Sequence, residues 1–138
     1  MTIYLSQIGK RYRDHWIFKE INYTFEAGEK YALLGPNGSG KSTLLRIISG
    51  MQSPNKGTVR YQAGDQVISS EKSFSLISYC APGMELIEEM TLYEFLKFHF
   101  TFKKSLAGIG PEAMIRDMQL EHASSKFIHE FSSGMKQR

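Results

Sequence analysis

Residues 35–42 read Gly-Pro-Asn-Gly-Ser-Gly-Lys-Ser, and Thr43 follows. The run satisfies every fixed position of the phosphate-binding pattern G-x-x-x-x-G-K-[ST]. It demands a strand, a tight glycine turn and a helix, in that order, so that loop amides and a helix N-terminus converge on one anion. Gly35, Gly38 and Gly40 let the backbone curl until successive N–H groups face inward, with Pro36, Asn37 and Ser39 between them. Lys41 is expected to reach the β- and γ-phosphates of a nucleoside triphosphate as a point charge. Ser42 is the expected ligand of a Mg²⁺ ion bridging the same phosphates, and Thr43 is a further hydroxyl donor. The flanks agree with this order. Residues 29–34 end in a short apolar run that reads as a buried strand, and Leu44, Leu45, Ile47 and Ile48 fall at helical spacing before the stop at Gly50.

The chain has 138 residues and 41% hydrophobic content, one domain's worth with enough apolar material for a packed core. No run of 18 apolar residues occurs, and the N-terminus has no basic-then-apolar leader pattern. The single cysteine, Cys80, excludes an internal disulfide; beside Ile77 and Tyr79 it reads as a small core residue of a strand, which fits a reducing compartment. The net charge of +3, with clusters at Lys10-Arg11-Arg13 and Lys103-Lys104, fits solvated surface cations, and no nucleic-acid partner is expected from it. His15, His99, His122 and His129 are scattered and form no metal-ligand pattern with Cys80.

Strands are predicted at 2–8 and at 20–26, where Ile21, Tyr23 and Phe25 alternate with polar residues. Ala27-Gly28 turns the chain into the strand before the phosphate loop, and 51–57 is a loop. Residues 58–62 and 67–68 read as a hairpin around Ala63-Gly64-Asp65, and 76–81 as a further strand closed by Pro82-Gly83. Thr91 and Glu94 have capping-box spacing, which predicts a helix over 92–104 with Leu92, Phe95, Leu96 and His99 on one stripe. Pro111 opens another helix carrying Met114, Ile115 and Met118. A β-rich part, 1–82, thus precedes a helical part, 83–138.

Residues 131–138 read Phe-Ser-Ser-Gly-Met-Lys-Gln-Arg, and 94 positions separate Gly134 from Gly40. A Ser-Ser-Gly turn into a helix is an ordinary N-cap in isolation. With the phosphate loop upstream, the chain resembles the ATP-binding cassette (ABC) family of transporter ATPases. The family signature is usually Leu-Ser-Gly-Gly-Gln; here Phe131, Ser133 and Met135 replace the Leu, the first Gly and the Gln, while Ser132 and Gly134 remain. The resemblance implies an α/β fold: a P-loop NTPase (RecA-like) core with an antiparallel β-subdomain and the beginning of an α-helical subdomain, truncated before the Asp-Glu strand. It implies that Tyr12 stacks on adenine, with Trp16 and Phe18 as rival stackers, and that Thr91–Glu94 opens the helical region. It implies that Ser132, Ser133 and Gly134 meet ATP held by a second ABC subunit, so that ATP binding dimerises two cassettes.

The same resemblance implies ATP and Mg²⁺ as cofactors, an integral membrane permease as partner, and a cytoplasmic location, peripheral at the membrane face. Pro82 stands where the family carries a glutamine that senses Mg²⁺ and couples to the membrane domain; proline has no side-chain donor or acceptor for that task. The family's Asp-Glu strand and switch histidine have no counterpart before Arg138. The chain therefore reads as an N-terminal portion that binds ATP without turning it over, with apolar surface left uncovered and reduced stability or self-association as the consequence. Two alternatives stand beside the transporter reading: a soluble ABC ATPase acting on the ribosome, and an unrelated P-loop kinase, which leaves 131–138 unexplained.

Overall fold

The computed structural model describes residues 1–81, 85–103 and 109–137. Its contacts divide the chain into two units, Met1–Tyr79 and Cys80–Arg138.

Period-two alternation builds the first unit. Strands β1 (Thr2–Tyr12) and β2 (His15–Phe25) form a long antiparallel hairpin, and β3 (Lys56–Ala63) and β4 (Gln66–Ile68) form a short one. Together they make a four-stranded sheet of order β2-β1-β3-β4, antiparallel throughout. Helix α1 (Lys41–Ile48) lays its apolar stripe on this sheet, so that Leu44 and Ile47 join Leu5 and Ile8 in a buried cluster. A one-turn helix α2 (Ser70–Ser73), unforeseen in the sequence, packs beside β3; the Tyr61 hydroxyl donates to the Ile48 carbonyl at 3.1 Å and ties that side of the sheet to the end of α1.

The second unit is helical. Thr91 caps α3 (Leu92–Phe102) with the predicted capping box: its Oγ1 accepts from the Glu94 amide and its own amide donates to Glu94 Oε2 at 2.9 Å. Gly110 and Pro111 start α4 (Pro111–Asp117). Leu92, Leu96, Ile115, Leu120, Ala123 and Phe131 form the core, and α5 (Ser133–Gln137) follows it.

Three expectations are corrected. Residues 29–34 and 76–81 are not strands: a strand exists only through its ladder, and among the described residues nothing lies alongside either segment to complete one. Cys80 is exposed and outside any strand, hence no core residue. His99 is exposed too, off the buried stripe of α3 that Leu92 and Leu96 occupy. Pro82, the departure from the expected glutamine, and the Pro82-Gly83 turn lie outside the described residues.

Candidate functional site

The loop geometry follows from its glycines. Gly35, Gly38 and Gly40 have φ of 154°, 82° and 90°, the region that side chains resist. Gly40 caps α1 in a left-handed conformation, and a Cβ there would stand 2.5 Å from Ile17 Cγ2. Leu44 is the first residue of the helix whose amide returns to the Gly40 carbonyl, at 2.8 Å. The amides of Lys41, Ser42 and Thr43 therefore have no helical acceptor and point out of the helix N-terminus. Ser39 closes the turn by donating from its amide to the Pro36 carbonyl at 3.3 Å.

The Lys41 ammonium folds over the loop. It donates to the carbonyls of Gly35 at 2.8 Å and Pro36 at 2.7 Å. An ammonium has three donors, so one stays available to an anion while two hold the charge at the loop. Ile17, Asn37, Gly38, Gly40, Lys41, Ser42 and Thr43 line the concavity. The lining carries one cation, no carboxylate, and the positive end of α1, a donor set matched to a polyphosphate. Ser42, in the first turn, supplies a neutral hydroxyl oxygen of the kind that Mg²⁺ accepts.

Tyr12 stands at the end of β1, opposite His15 across the Arg13-Asp14 turn, with its ring half exposed. The Gln52 amide donates to its hydroxyl at 2.9 Å. Hydrogen bonds from Gln52 and then from Thr43 hold its phenol below the ordinary tyrosine range. The hydrogen bond to Thr43 sets Tyr12 beside the phosphate loop. Of the rival stackers, Phe18 packs against the core of the sheet and also against Gly40 of the loop, and Trp16 lies among cations outside the loop lining. Gln52 escaped sequence reading because a glutamine in a loop carries no signal of its own.

In the second unit the predicted signature forms the turn before α5. Phe131 is buried, Ser132 Oγ accepts from the Met135 amide at 3.3 Å, and Ser133 opens the helix. At Gly134 an added Cβ would meet nothing nearer than Ser132 Oγ at 4.0 Å. Lys136 donates to Glu88 Oε1, and that ammonium holds the Glu88 carboxyl below its ordinary range. The Glu88 carbonyl accepts from the His129 amide at 3.2 Å and from His129 Nδ1 at 3.1 Å, which fixes the proton on that nitrogen. Residues 88–90 and 128–136 are therefore knit together by side chain and backbone alike.

A family model described as "ABC transporter" matches residues 18–138. A sulfate/thiosulfate import ATP-binding protein of Shewanella oneidensis is 28% identical over 100% of this chain and 41% of its own length. An uncharacterized ABC transporter ATP-binding protein of Bacillus subtilis is 34% identical over 99% of this chain and 62% of its own length. Among solved structures, an ATP-binding subunit of an ABC transporter superposes with a TM-score of 0.78 at 26% identity, covering 99% of this chain and 58% of that one. A dimeric bacterial ABC transporter cassette gives 0.74 at 25% identity, covering 97% and 65%. The chain thus spans about two-fifths to two-thirds of the length of these relatives.

Proposed function

The chain belongs to the ABC transporter family, and on that premise we propose that it is the nucleotide-gripping part of a transporter's ATP-binding subunit. The observation that carries this reading is the loop from Gly35 to Thr43: left-handed glycines, an ammonium held over the turn, and outward amides at the start of α1. In this reading Lys41 and the loop amides hold the β- and γ-phosphates, and the Tyr12 ring supports adenine. Ser42 holds Mg²⁺, which supplies charge neutralisation between the two phosphates.

The loop lining contains no carboxylate to orient water. The loop residues bind and position ATP. Ser132, Ser133 and Gly134 present a hydroxyl and amides to the γ-phosphate of ATP on a second cassette. The space above Gly134 supports this assignment. Its own chain leaves room for a Cβ there, so the backbone at Gly134 is open to approach from outside. ATP-driven pairing of two cassettes then drives a separate membrane permease, which places the protein at the cytoplasmic membrane face. No described helix is long and apolar enough to cross a membrane.

Calorimetric titration with ATP and Mg²⁺ tests the reading. Saturable binding by the wild-type chain, lost in Lys41→Ala and weakened in Tyr12→Ala, supports it. Equal affinity in Lys41→Ala overturns it.

A further inference from the structure

Trp16, the sole tryptophan, lies within 5.0 Å of Lys19 Nζ, 5.5 Å of Lys56 Nζ and 5.7 Å of the Arg11 guanidinium carbon, measured to a ring centroid. No salt bridge joins any of these three cations to a described carboxylate. The indole is their common neighbour, and a π face offsets mutual repulsion only weakly. With Gln7, Gly9, Glu20 and Gly57, the residues Trp16, Lys19 and Lys56 line a concavity of the first unit. It shares no lining residue with the phosphate loop. Trp16 and Ile17, adjacent on β2, divide between the two: Ile17 lines the loop and Trp16 lines this hollow.

The hollow is built by irregular backbone. Gln7, Glu20 and Gly57 adopt φ of 55°, 58° and 82° on three neighbouring strands. Pairing of β1 with β2 shifts between Leu5 and Lys10, and pairing with β3 shifts between Ser6 and Gly9. A Cβ on Gly57 would stand 2.3 Å from the Ser6 carbonyl, and one on Gly9 would stand 2.9 Å from the Trp16 ring. The Gln7 amide leaves the ladder to donate to Asn22 Oδ1 at 2.8 Å. Such bulges re-aim side chains, and here they surround a concavity whose two lysines outweigh the one carboxylate, Glu20, with Arg11 nearby against the Trp16 ring.

We propose that this hollow is a second anion site, which takes a free, compact, multiply charged oxyanion of the pyrophosphate type. Each exposed ion pair contributes little, so only a multivalent anion gains from several at once. A concave site between kinked strands suits a soluble anion better than a flat membrane.

Titration of the full chain with sodium pyrophosphate at constant ionic strength, read by Trp16 fluorescence, tests the site. A saturable change is expected, unaltered in half-point by Lys41→Ala. Lys19→Gln and Lys56→Gln are expected to raise the half-saturating concentration about fivefold each. Circular dichroism checks that the variants keep their fold, and the ³¹P line width of pyrophosphate, measured on Lys41→Ala so that the phosphate loop does not contribute, gives a readout independent of the indole. The proposal is overturned by the absence of saturation in both readouts, or by an equal response to chloride. Loss of the response in Lys41→Ala alone also overturns it, because the anion then sits in the phosphate loop. Sedimentation with phosphatidylserine vesicles that pyrophosphate does not displace overturns the commitment to a soluble anion.

Discussion

A methyl group at Gly40 meets two obstacles at once: Ile17 Cγ2 at 2.5 Å and a backbone φ of 90°. Gly40→Ala is expected to destabilise the first unit by about 1–3 kcal/mol through backbone strain and contact, read as a lower urea midpoint. Lys41 behaves in the opposite way. Its ammonium holds the Gly35 and Pro36 carbonyls of the loop. Lys41→Ala is therefore expected to leave the midpoint within about 0.5 kcal/mol of wild type and to cost at least about tenfold in ATP affinity, the loss of one charge-assisted contact. Tyr12 separates its two roles by chemistry. Tyr12→Phe keeps the ring and loses the hydrogen bonds to Gln52 and Thr43, whereas Tyr12→Ala loses both. If adenine stacks there, the alanine variant weakens ATP binding by roughly 1–3 kcal/mol and the phenylalanine variant by much less; equal losses in calorimetry would assign the effect to the hydroxyl instead.

Between single residues and the whole chain, the turn before α5 shows what holds an element in place. The helix is only five residues long and cannot hold itself. Buried Phe131 anchors its start, Ser132 caps it, and Lys136 ties its far end to Glu88. The tie depends on pH in a definite direction. Lys136 lowers the folded Glu88 carboxyl below the ordinary value of 4.5, so the stabilisation is fully present above that value and fades as pH falls through the folded one. The stability difference between wild type and Glu88→Gln, followed by thermal melts, should be constant from pH 8 to pH 6 and should vanish in acid below the folded value; a difference that grows in acid contradicts the ion pair. The capping box and the helices at 92 and 111 were legible in the sequence because Thr91–Glu94 and Pro111 act locally. The alternating strands were legible for the same reason. Residues 29–34 and 76–81 misled because an apolar run records a preference for burial, while a ladder needs a partner segment that no local pattern supplies. The loop glycines announced their own geometry, whereas Gln52 and the hollow at Trp16 depend on contacts of high sequence separation and left no mark in the sequence.

At the scale of the whole molecule, the segments that lack ladder partners leave apolar surface in water. Leu34 is 88% exposed, and Tyr23, Tyr31, Leu33 and Leu45 are each 41–50% exposed. Several of them, with Leu5, Ile21, Phe25, Leu44 and Ile48, line an apolar groove of about 380 Å³ between the sheet and α1. Tyr23, Phe25 and Tyr31 pack ring to ring along one side, with centroids 4.8–6.0 Å apart. At about 25 cal/mol per Å², a few hundred Å² of such surface represents several kcal/mol of burial not realised in the isolated chain. That deficit is large beside the total stability of a domain. The chain is therefore expected to bind the dye ANS and to sediment with a concentration-dependent average mass. Replacing Leu34, the most exposed of the set, is expected to act on association more than on folding. Leu34→Glu should lower both dye fluorescence and apparent mass while leaving the far-ultraviolet circular dichroism unchanged, since the side chain buries little in its own chain. A strictly monomeric sample with a cooperative high-temperature melt and no dye binding would show that the groove is satisfied within the chain itself.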